Sequence, residues 1–332
     1  MSALSTPTRP TPLGPAEPVF AARRRGNATL GMVTVILSLV LLALLLVHAS
    51  VPDIAGAGLL LDTAIPWFGL FVLPLAVLAL VSRRRRALLA VLAPVLAWAL
   101  LFGPGLVPLS WSAVPPSTEP GTTLTVASQN IEATSGTGAQ SAQALAATGA
   151  DVIALEEMTS TDFDTISSTL ADAYPHSYGV GTVGLWSKYP VTNAQPLNLG
   201  LGWNRALAAD LETPQGLVSI YVIHAASARP GDVSARDSML TALATTLPKD
   251  ENNRVIAVGD FNAASTDRAM AGIKSQLAEA NQSEGMLGST WPSNLPVTRL
   301  DHLLQRGMTV TSNTTLRAGG SDHQAILTSL NL

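Results

Sequence analysis

Asp260 and Asn262 stand two residues apart, just after the short apolar run Arg254-Val255-Ile256-Ala257-Val258-Gly259. That run is rich in β-branched residues and has the length of a buried strand. An acid and an amide at a strand end can serve one metal ion or one attacking water. Period-two geometry sends both side chains to the same side while the chain stays extended. The plainer reading is an Asx turn, the commoner fate of Gly-Asp-x-Asn. The company this motif keeps raises it above that. Asn130 follows Leu-Thr-Val-Ala-Ser-Gln, Glu156 and Glu157 follow Asp-Val-Ile-Ala-Leu, and His224 follows Val-Ser-Ile-Tyr-Val-Ile. Asp301 and His302 sit inside Arg-Leu-Asp-His-Leu-Leu, and Ser321-Asp322-His323 precedes the last apolar run. Each alone is more often a cap or a solvated residue than a catalyst. Jointly they describe several strand ends meeting at one polar cleft.

The chemistry of such a cleft is that of oxygen ligands. Carboxylates and amides suit Mg²⁺, Mn²⁺ or Ca²⁺. Histidines beside carboxylates supply charge stabilisation and acid/base groups. The chain has 0 cysteines, which excludes thiolate metal sites, a disulfide framework and a cysteine nucleophile.

The elements that must position these residues read as an α/β domain from Thr122 onward. Strands are expected at Thr122–Gln129, Asp151–Leu155, Gly184–Ser187, Ala206–Glu212, Leu217–His224, around Arg254, at Arg299–Leu304 and at His323–Leu330. Helices are expected at Gln140–Thr148, Thr161–Ala173, Val233–Leu247 with Asp232 as N-cap, and Asp267–Ala280. Gly179 to Gly184 matches the dinucleotide fingerprint in form, but a strand-like Leu-Trp-Ser-Lys-Tyr-Pro follows where a helix N-terminus is needed. It reads as a flexible turn. His176 lies outside every motif and reads as a surface residue.

Composition points elsewhere for the first third. Of 332 residues, 47% are hydrophobic and 13% charged, about half the charged share of an average soluble domain. Residues 1–28 read as a disordered cytoplasmic tail rich in Pro, Thr, Ala and Ser. Residues 29–110 form a membrane anchor with three spans, Leu30–Val47, Ala64–Val81 and Ala87–Leu109. These boundaries leave no ionisable residue inside a span, so no transport path is indicated. The loop His48–Thr63 has no Lys or Arg, whereas Arg23–Arg25 and Arg83–Arg86 flank the spans. The positive-inside tendency then places both arginine clusters in the cytoplasm and everything after Pro108 outside it. A stiff linker, 111–121, leads into the domain 122–332. That part of the chain is acidic, which counts against a polyanionic nucleic-acid partner.

Taken in order, Asn130-Ile131, Ile153-Ala154-Leu155-Glu156-Glu157, Leu185-Trp186-Ser187-Lys188-Tyr189-Pro190, Ile223-His224, Gly259-Asp260-Phe261-Asn262, Thr290-Trp291-Pro292, Arg299-Leu300-Asp301-His302 and Ser321-Asp322-His323 resemble the successive motifs of the endonuclease/exonuclease/phosphatase family. The resemblance covers about residues 122–332. It implies a DNase I-like four-layer αββα sandwich and divalent-cation-dependent cleavage of phosphate esters, with Mg²⁺ the expected cofactor and Mn²⁺ an alternative. It also implies that Glu157 is the principal metal ligand, with Asn130 beside it and Asp322 near the metal. Asp260 would position or deprotonate the attacking water, and Asn262 would help hold the phosphate. His323 would stabilise the developing charge, oriented by Asp301, and His224 would contact phosphate or donate a proton. His302 would be structural. Arg205 could reach a substrate phosphate, though a solvated strand end is as plausible a fate for it. Two departures stand out: Glu156 where Gln is usual, and Ser128-Gln129 before Asn130 where Thr-Trp is common.

Three spans before such a domain resemble the VanJ-type teicoplanin-resistance membrane proteins. The resulting expectation is a multi-pass cell-membrane protein with an extracytoplasmic catalytic domain. It would hydrolyse a lipid-linked phosphate or pyrophosphate such as undecaprenyl pyrophosphate. The alternatives are an extracytoplasmic nuclease or phosphodiesterase, and a non-catalytic envelope binding module.

Overall fold

The computed structural model describes residues 26–111, 114–119, 121–283 and 287–332. The expected disordered tail, the Arg23–Arg25 cluster and part of the expected linker lie outside the described residues.

Three helices, Ala28–Ser50, Ala57–Ser82 and Arg85–Leu106, are long and apolar enough to cross a membrane. The first contains α1 (Ala28–Val47), opened by the Asn27 side chain accepting from the Leu30 amide. The second comprises α2 (Ala57–Ala64), a tighter stretch entered through Pro66, and α3 (Val72–Ser82). The third is α4 (Arg85–Leu106), with Pro94 and Pro104 inside it. They share a small core of Leu41, Leu45, Leu75, Ala79, Ala87 and Val91, while leucines such as Leu73, Leu89 and Leu100 face outward. So much exposed apolar surface fits hydrocarbon better than water. The structure corrects one boundary. Helix begins at Ala57 rather than Ala64, because Gly58-Leu59-Leu60-Leu61 continues the apolar pattern, and the second candidate span therefore contains the buried Asp62.

The rest of the chain forms two six-stranded sheets. The first has order β11-β12-β1-β2-β4-β3 and the second β5-β6-β7-β8-β10-β9. These are β1 (Thr123–Asn130), β2 (Val152–Glu156), β3 (His176–Val180), β4 (Val183–Ser187), β5 (Val191–Pro196) and β6 (Ala206–Thr213). They continue with β7 (Gly216–His224), β8 (Val255–Asp260), β9 (Ala278–Glu279), β10 (Asp301–Arg306), β11 (Thr309–Leu316) and β12 (Ala325–Asn331). Alternation decides which face goes where. Val152 and Ala154 of β2, with Ile256 and Val258 of β8, pack in the core between the sheets. Their neighbours Ile153 and Leu155 face outward, toward α5 (Gly138–Ala147) and α6 (Ser160–Leu170). Val255 and Ala257 face α7 (Ser234–Thr246) and α8 (Ala271–Lys274). The result is helix, sheet, sheet, helix.

Several expected elements differ. The helix expected over Asp267–Ala280 is a tight turn at Arg268–Met270, the single-turn α8, and then β9. Where the helix would have continued, Glu279 lies in β9 and bonds His302 at 2.6 Å. Asp232 does not cap α7; Val233 holds that position without a side-chain bond. The polar edge strands β5 and β11 lacked an apolar signal. The Gly179–Gly184 segment is a β3–β4 hairpin rather than a flexible turn. Only glycine suits its tip, because Gly181 has φ +59 and a Cβ there would strike the Asn204 carbonyl.

The globular part is docked onto the helices. Arg268 donates to both Asp62 oxygens, at 2.7 and 3.1 Å, and to the His48 carbonyl at 3.0 Å. Thr266 Oγ1 donates to the Asp62 carbonyl at 2.6 Å, and Trp67 Nε1 to the Val297 carbonyl at 3.2 Å. Asn281 Nδ2 reaches the Pro104 carbonyl at 2.9 Å. The Arg83–Arg84 turn lies at the far end of α4, roughly 30 Å away at 1.5 Å rise per residue. There Arg84 Nη2 donates to the Gly26 carbonyl at 2.7 Å.

Candidate active site

Strand pairing gathers the site. β1 and β2 are parallel with Asn130 opposite Glu156, and β7 and β8 are parallel with His224 opposite Asp260. β10 runs antiparallel to β8, so its first residue, Asp301, also lies opposite Asp260. β12 runs antiparallel to β1, which brings His323, just before its start, to the same end. Carboxyl ends of parallel strands are where α/β sheets place their sites.

Asn130 Nδ2 sits 3.0 Å from Glu157 Oε2 and 3.0 Å from Asp260 Oδ2, linking one sheet to the other. Its Oδ1 accepts the Glu132 amide at 2.9 Å. Glu157 leaves the strand with φ +58, which turns its carboxylate into the cleft rather than into a sheet face. Asn262 likewise has φ +47. Its amide N donates to Asp260 Oδ1 at 2.8 Å, and its Nδ2 to the Ala225 carbonyl at 3.0 Å. The Asx turn and the functional pair are therefore one feature, and extended geometry does not continue through Asn262.

His323 Nδ1 and Asp301 Oδ2 are 2.8 Å apart, both buried. Ser321 Oγ donates to the Asn130 carbonyl at 2.6 Å and accepts the His323 amide at 3.0 Å, fixing the loop. Burial pulls the His323 pKa down, but Asp301 beside it, then Asp260 and Asp322, hold it up to about 10. Burial, and then Asp301, raise Asp260 to about 6. This gives a protonated imidazole facing an acid poised near neutrality, a pattern of acid/base sites.

His224 is placed differently. Burial, and then the positive charges of Arg205 and His323, keep its pKa well below the usual histidine range. Arg205 Nη2 makes a short contact with His224 Nε2, so that nitrogen accepts, and Nδ1 carries the proton toward Thr182 Oγ1 at 3.3 Å. This arrangement leaves no proton at Nε2 to donate. Arg205 also donates through Nε to the His224 carbonyl at 3.0 Å and stacks on Trp203. Its geometry is that of a residue holding His224 in place.

Asp322 lies at the rim, half exposed. It accepts from Trp291 Nε1 at 2.9 Å, and its carboxylate is 4.0 Å from His323 Nε2. His302 is fully buried between Glu279 (2.6 Å) and the Ala263 carbonyl (2.8 Å), away from the cleft. Glu156 is also fully buried. Ser128 Oγ donates to its Oε1 at 2.9 Å, and its Oε2 has no partner. Burial, and then Asp301, raise its pKa well above the usual carboxylate range. A neutral carboxyl has one donor and one acceptor, which is how this Glu stands in for a Gln. Gly259 leaves room beside it, with φ +129 and a would-be Cβ 3.0 Å from Glu156 Oε1.

The donors fit a hard cation. Glu157 would hold one from the cleft floor with Asp322 near the rim, and Asn130 would join them only through Oδ1, which here accepts the Glu132 amide. Asp260, Asp301 and His323 bring ligand atoms within 4.8 Å of one another, and Asp301 Oδ1 is buried without a partner. Such an ion would supply charge neutralisation for a phosphate and its leaving oxygen.

A cleft of about 500 Å³ joins Asn130, Glu157, His224, Asp260, Asn262 and His323. Its opposite wall includes Leu59, Leu60 and Thr63 of α2, which no motif in the sequence foreshadowed. The only signal for that contact was Asp62, a charge set among leucines.

A family profile described as Endonuclease/Exonuclease/phosphatase family matches residues 127–323. The chain belongs to that family, which supports a hydrolase. Solved structures with the same fold include D. rerio TDP2 humanized by 14 mutations, at 16% identity and TM-score 0.54, over 64% of this chain and 100% of that one. Beta toxin from Staphylococcus aureus aligns at 14% identity and TM-score 0.51, over 62% and 99%. Sphingomyelinase C from Streptomyces griseocarneus aligns at 18% identity and TM-score 0.50, also over 62% and 99%. At these identities the likeness is one of fold. Comparison with curated protein sequences finds no match.

Proposed function

We propose that this protein is a membrane-anchored, divalent-metal-dependent phosphohydrolase acting on a lipid phosphate or pyrophosphate, of the VanJ-type teicoplanin-resistance subgroup. Undecaprenyl pyrophosphate is the kind of substrate intended, and Mg²⁺ the expected ion. The observation that carries this reading is the α2 wall of the cleft. A site bounded by Leu59, Leu60 and Thr63 of a candidate spanning helix suits a substrate presented by a membrane.

In this reading Glu157 and Asn130 hold the ion and Asn262 helps position the phosphate. Asp260 takes the proton of the attacking water. His323, held by Asp301, keeps its proton and stabilises charge building on the phosphoryl oxygens. The arginine turn at the far end of the helices favours a catalytic domain outside the cytoplasm.

Phosphate release from polyprenyl pyrophosphate by the purified full chain with Mg²⁺, without nicking of plasmid DNA, is the expected result. Nicking without phosphate release would favour a nuclease. That alternative draws support from a fold relative, D. rerio TDP2, solved with a single strand DNA product. The acidic balance of residues 118–332, eleven basic against twenty acidic, argues against it.

A further inference from the structure

A second cavity, about 360 Å³, lies between the helices and the globular domain. It adjoins the catalytic cleft, because Thr63, Ala264 and Thr298 line both. Its two sides differ in character. Trp67 of the second helix, with Leu101 and Phe102 of the third, makes an apolar wall. The globular side carries Lys274 and Arg299 around a single carboxylate, Glu279. Lys274 Nζ is 2.8 Å from Glu279, and Arg299 Nη1 is 3.4 Å from it. The apolar wall belongs to helices that also carry outward-facing leucines, Leu100 at 77% exposed among them.

We propose that this cavity receives the hydrocarbon tail of the same lipid whose phosphate occupies the cleft. It would lead that tail from Thr63 between the second and third helices toward the bilayer. The inference rests on the lipid-phosphohydrolase reading and deepens it. Continuity of the two cavities selects the occupant: only a molecule with a phosphate at one end and a long apolar chain at the other fills both. A tail drawn from the bilayer is already in hydrocarbon, so the cavity would separate long-tailed from short-tailed substrates through packing contacts along the chain, mainly in KM.

Gly105 provides the test. It lines the cavity near the end of α4, and a Cβ there would meet nothing within 4 Å. Gly105→Phe therefore adds a bulky side chain to the cavity lining at a position where its first carbon has open space. Wild type and variant, as full chains in nanodiscs, would be compared on long-chain polyprenyl pyrophosphate and on isopentenyl pyrophosphate, which keeps the head group with almost no tail. The expected result is a fall of at least about tenfold in the long-to-short ratio of kcat/KM, which is about 1.4 kcal/mol of lost discrimination. An unchanged ratio would overturn the tail path while leaving the phosphohydrolase reading standing. Wild-type failure on both substrates would sink that reading and the inference together. Should the variant not fold, a polyprenyl phosphate with a photoreactive group in its tail serves instead. Crosslinks on the wild type at Trp67, Leu101 or Phe102 support the path, and labelling confined to outward-facing leucines overturns it.

Discussion

The guanidinium of Arg268 closes on the buried carboxylate of Asp62, with Nε 2.7 Å from one oxygen and Nη2 3.1 Å from the other. One residue belongs to the catalytic domain and the other to an apolar helix, so this pair holds the α2 wall against the cleft. His48 Nδ1 adds a third contact to the carboxylate at 3.0 Å.

Breaking a buried pair from one side leaves a desolvated charge, typically at a cost of about 3–5 kcal/mol. Arg268→Ala is expected to loosen the domain from the helices and expose the segment 114–119 to protease. Limited proteolysis in nanodiscs reads this directly, and cleavage at the wild-type rate would mean the pair does not hold the interface.

His323→Ala should lower kcat by about 10²–10⁴-fold, the usual size of an acid/base or charge-stabilising contribution. Asp301→Asn should act through His323, removing the anion that most supports its proton. The alkaline limb of the rate profile would then move down from about 10. A profile identical to wild type would show that Asp301 does not set the state of His323.

The two raised groups give the pH dependence its sign. Asp260 must be ionised to take a proton, so activity should rise as pH increases through about 6. His323 must keep its proton, so activity should fall as pH passes about 10. For stability, a histidine with a raised folded pKa contributes fully below its unfolded value near 6.5 and loses that contribution as pH climbs through about 10. Thermal melts from pH 6 to 10.5 should show this decline, and His323→Gln should flatten it.

Glu156 sits in a place made for a neutral amide. An acid whose folded pKa is raised loses stability as pH rises above its unfolded value of about 4.3. Glu156→Gln should raise Tm at neutral pH, because the amide is neutral there without taking up a proton, with turnover retained. The gain should vanish in acid. A lower Tm at pH 7 would mean that Glu156 is needed as an acid.

Metal removal offers a check on the ligands. Chelation with EDTA should abolish turnover and added Mg²⁺ restore it. Mg²⁺ should also raise the Tm of the wild type by mass action. Glu157→Ala should lose that Mg²⁺-dependent shift, and a shift of wild-type size would remove Glu157 from the ligand set.

The fold was largely legible in the sequence because alternation is a local property. Val152 to Glu156 and Val255 to Asp260 show in one dimension which residues face which layer. Their polar ends announce a cleft, and the apolar lengths before Pro108 announce helices fit for a membrane. Other features needed distance. The state of His323 depends on Asp301, 22 residues away, and that of His224 on Arg205 and Thr182. Positive φ at Glu157 and Asn262 aims both side chains, and neither residue type declares such a backbone. Most of all, Asp62 looked like part of a loop. Its partner Arg268 lies 206 residues further on. Only the folded chain brings the two together and makes an apolar helix one wall of a polar site.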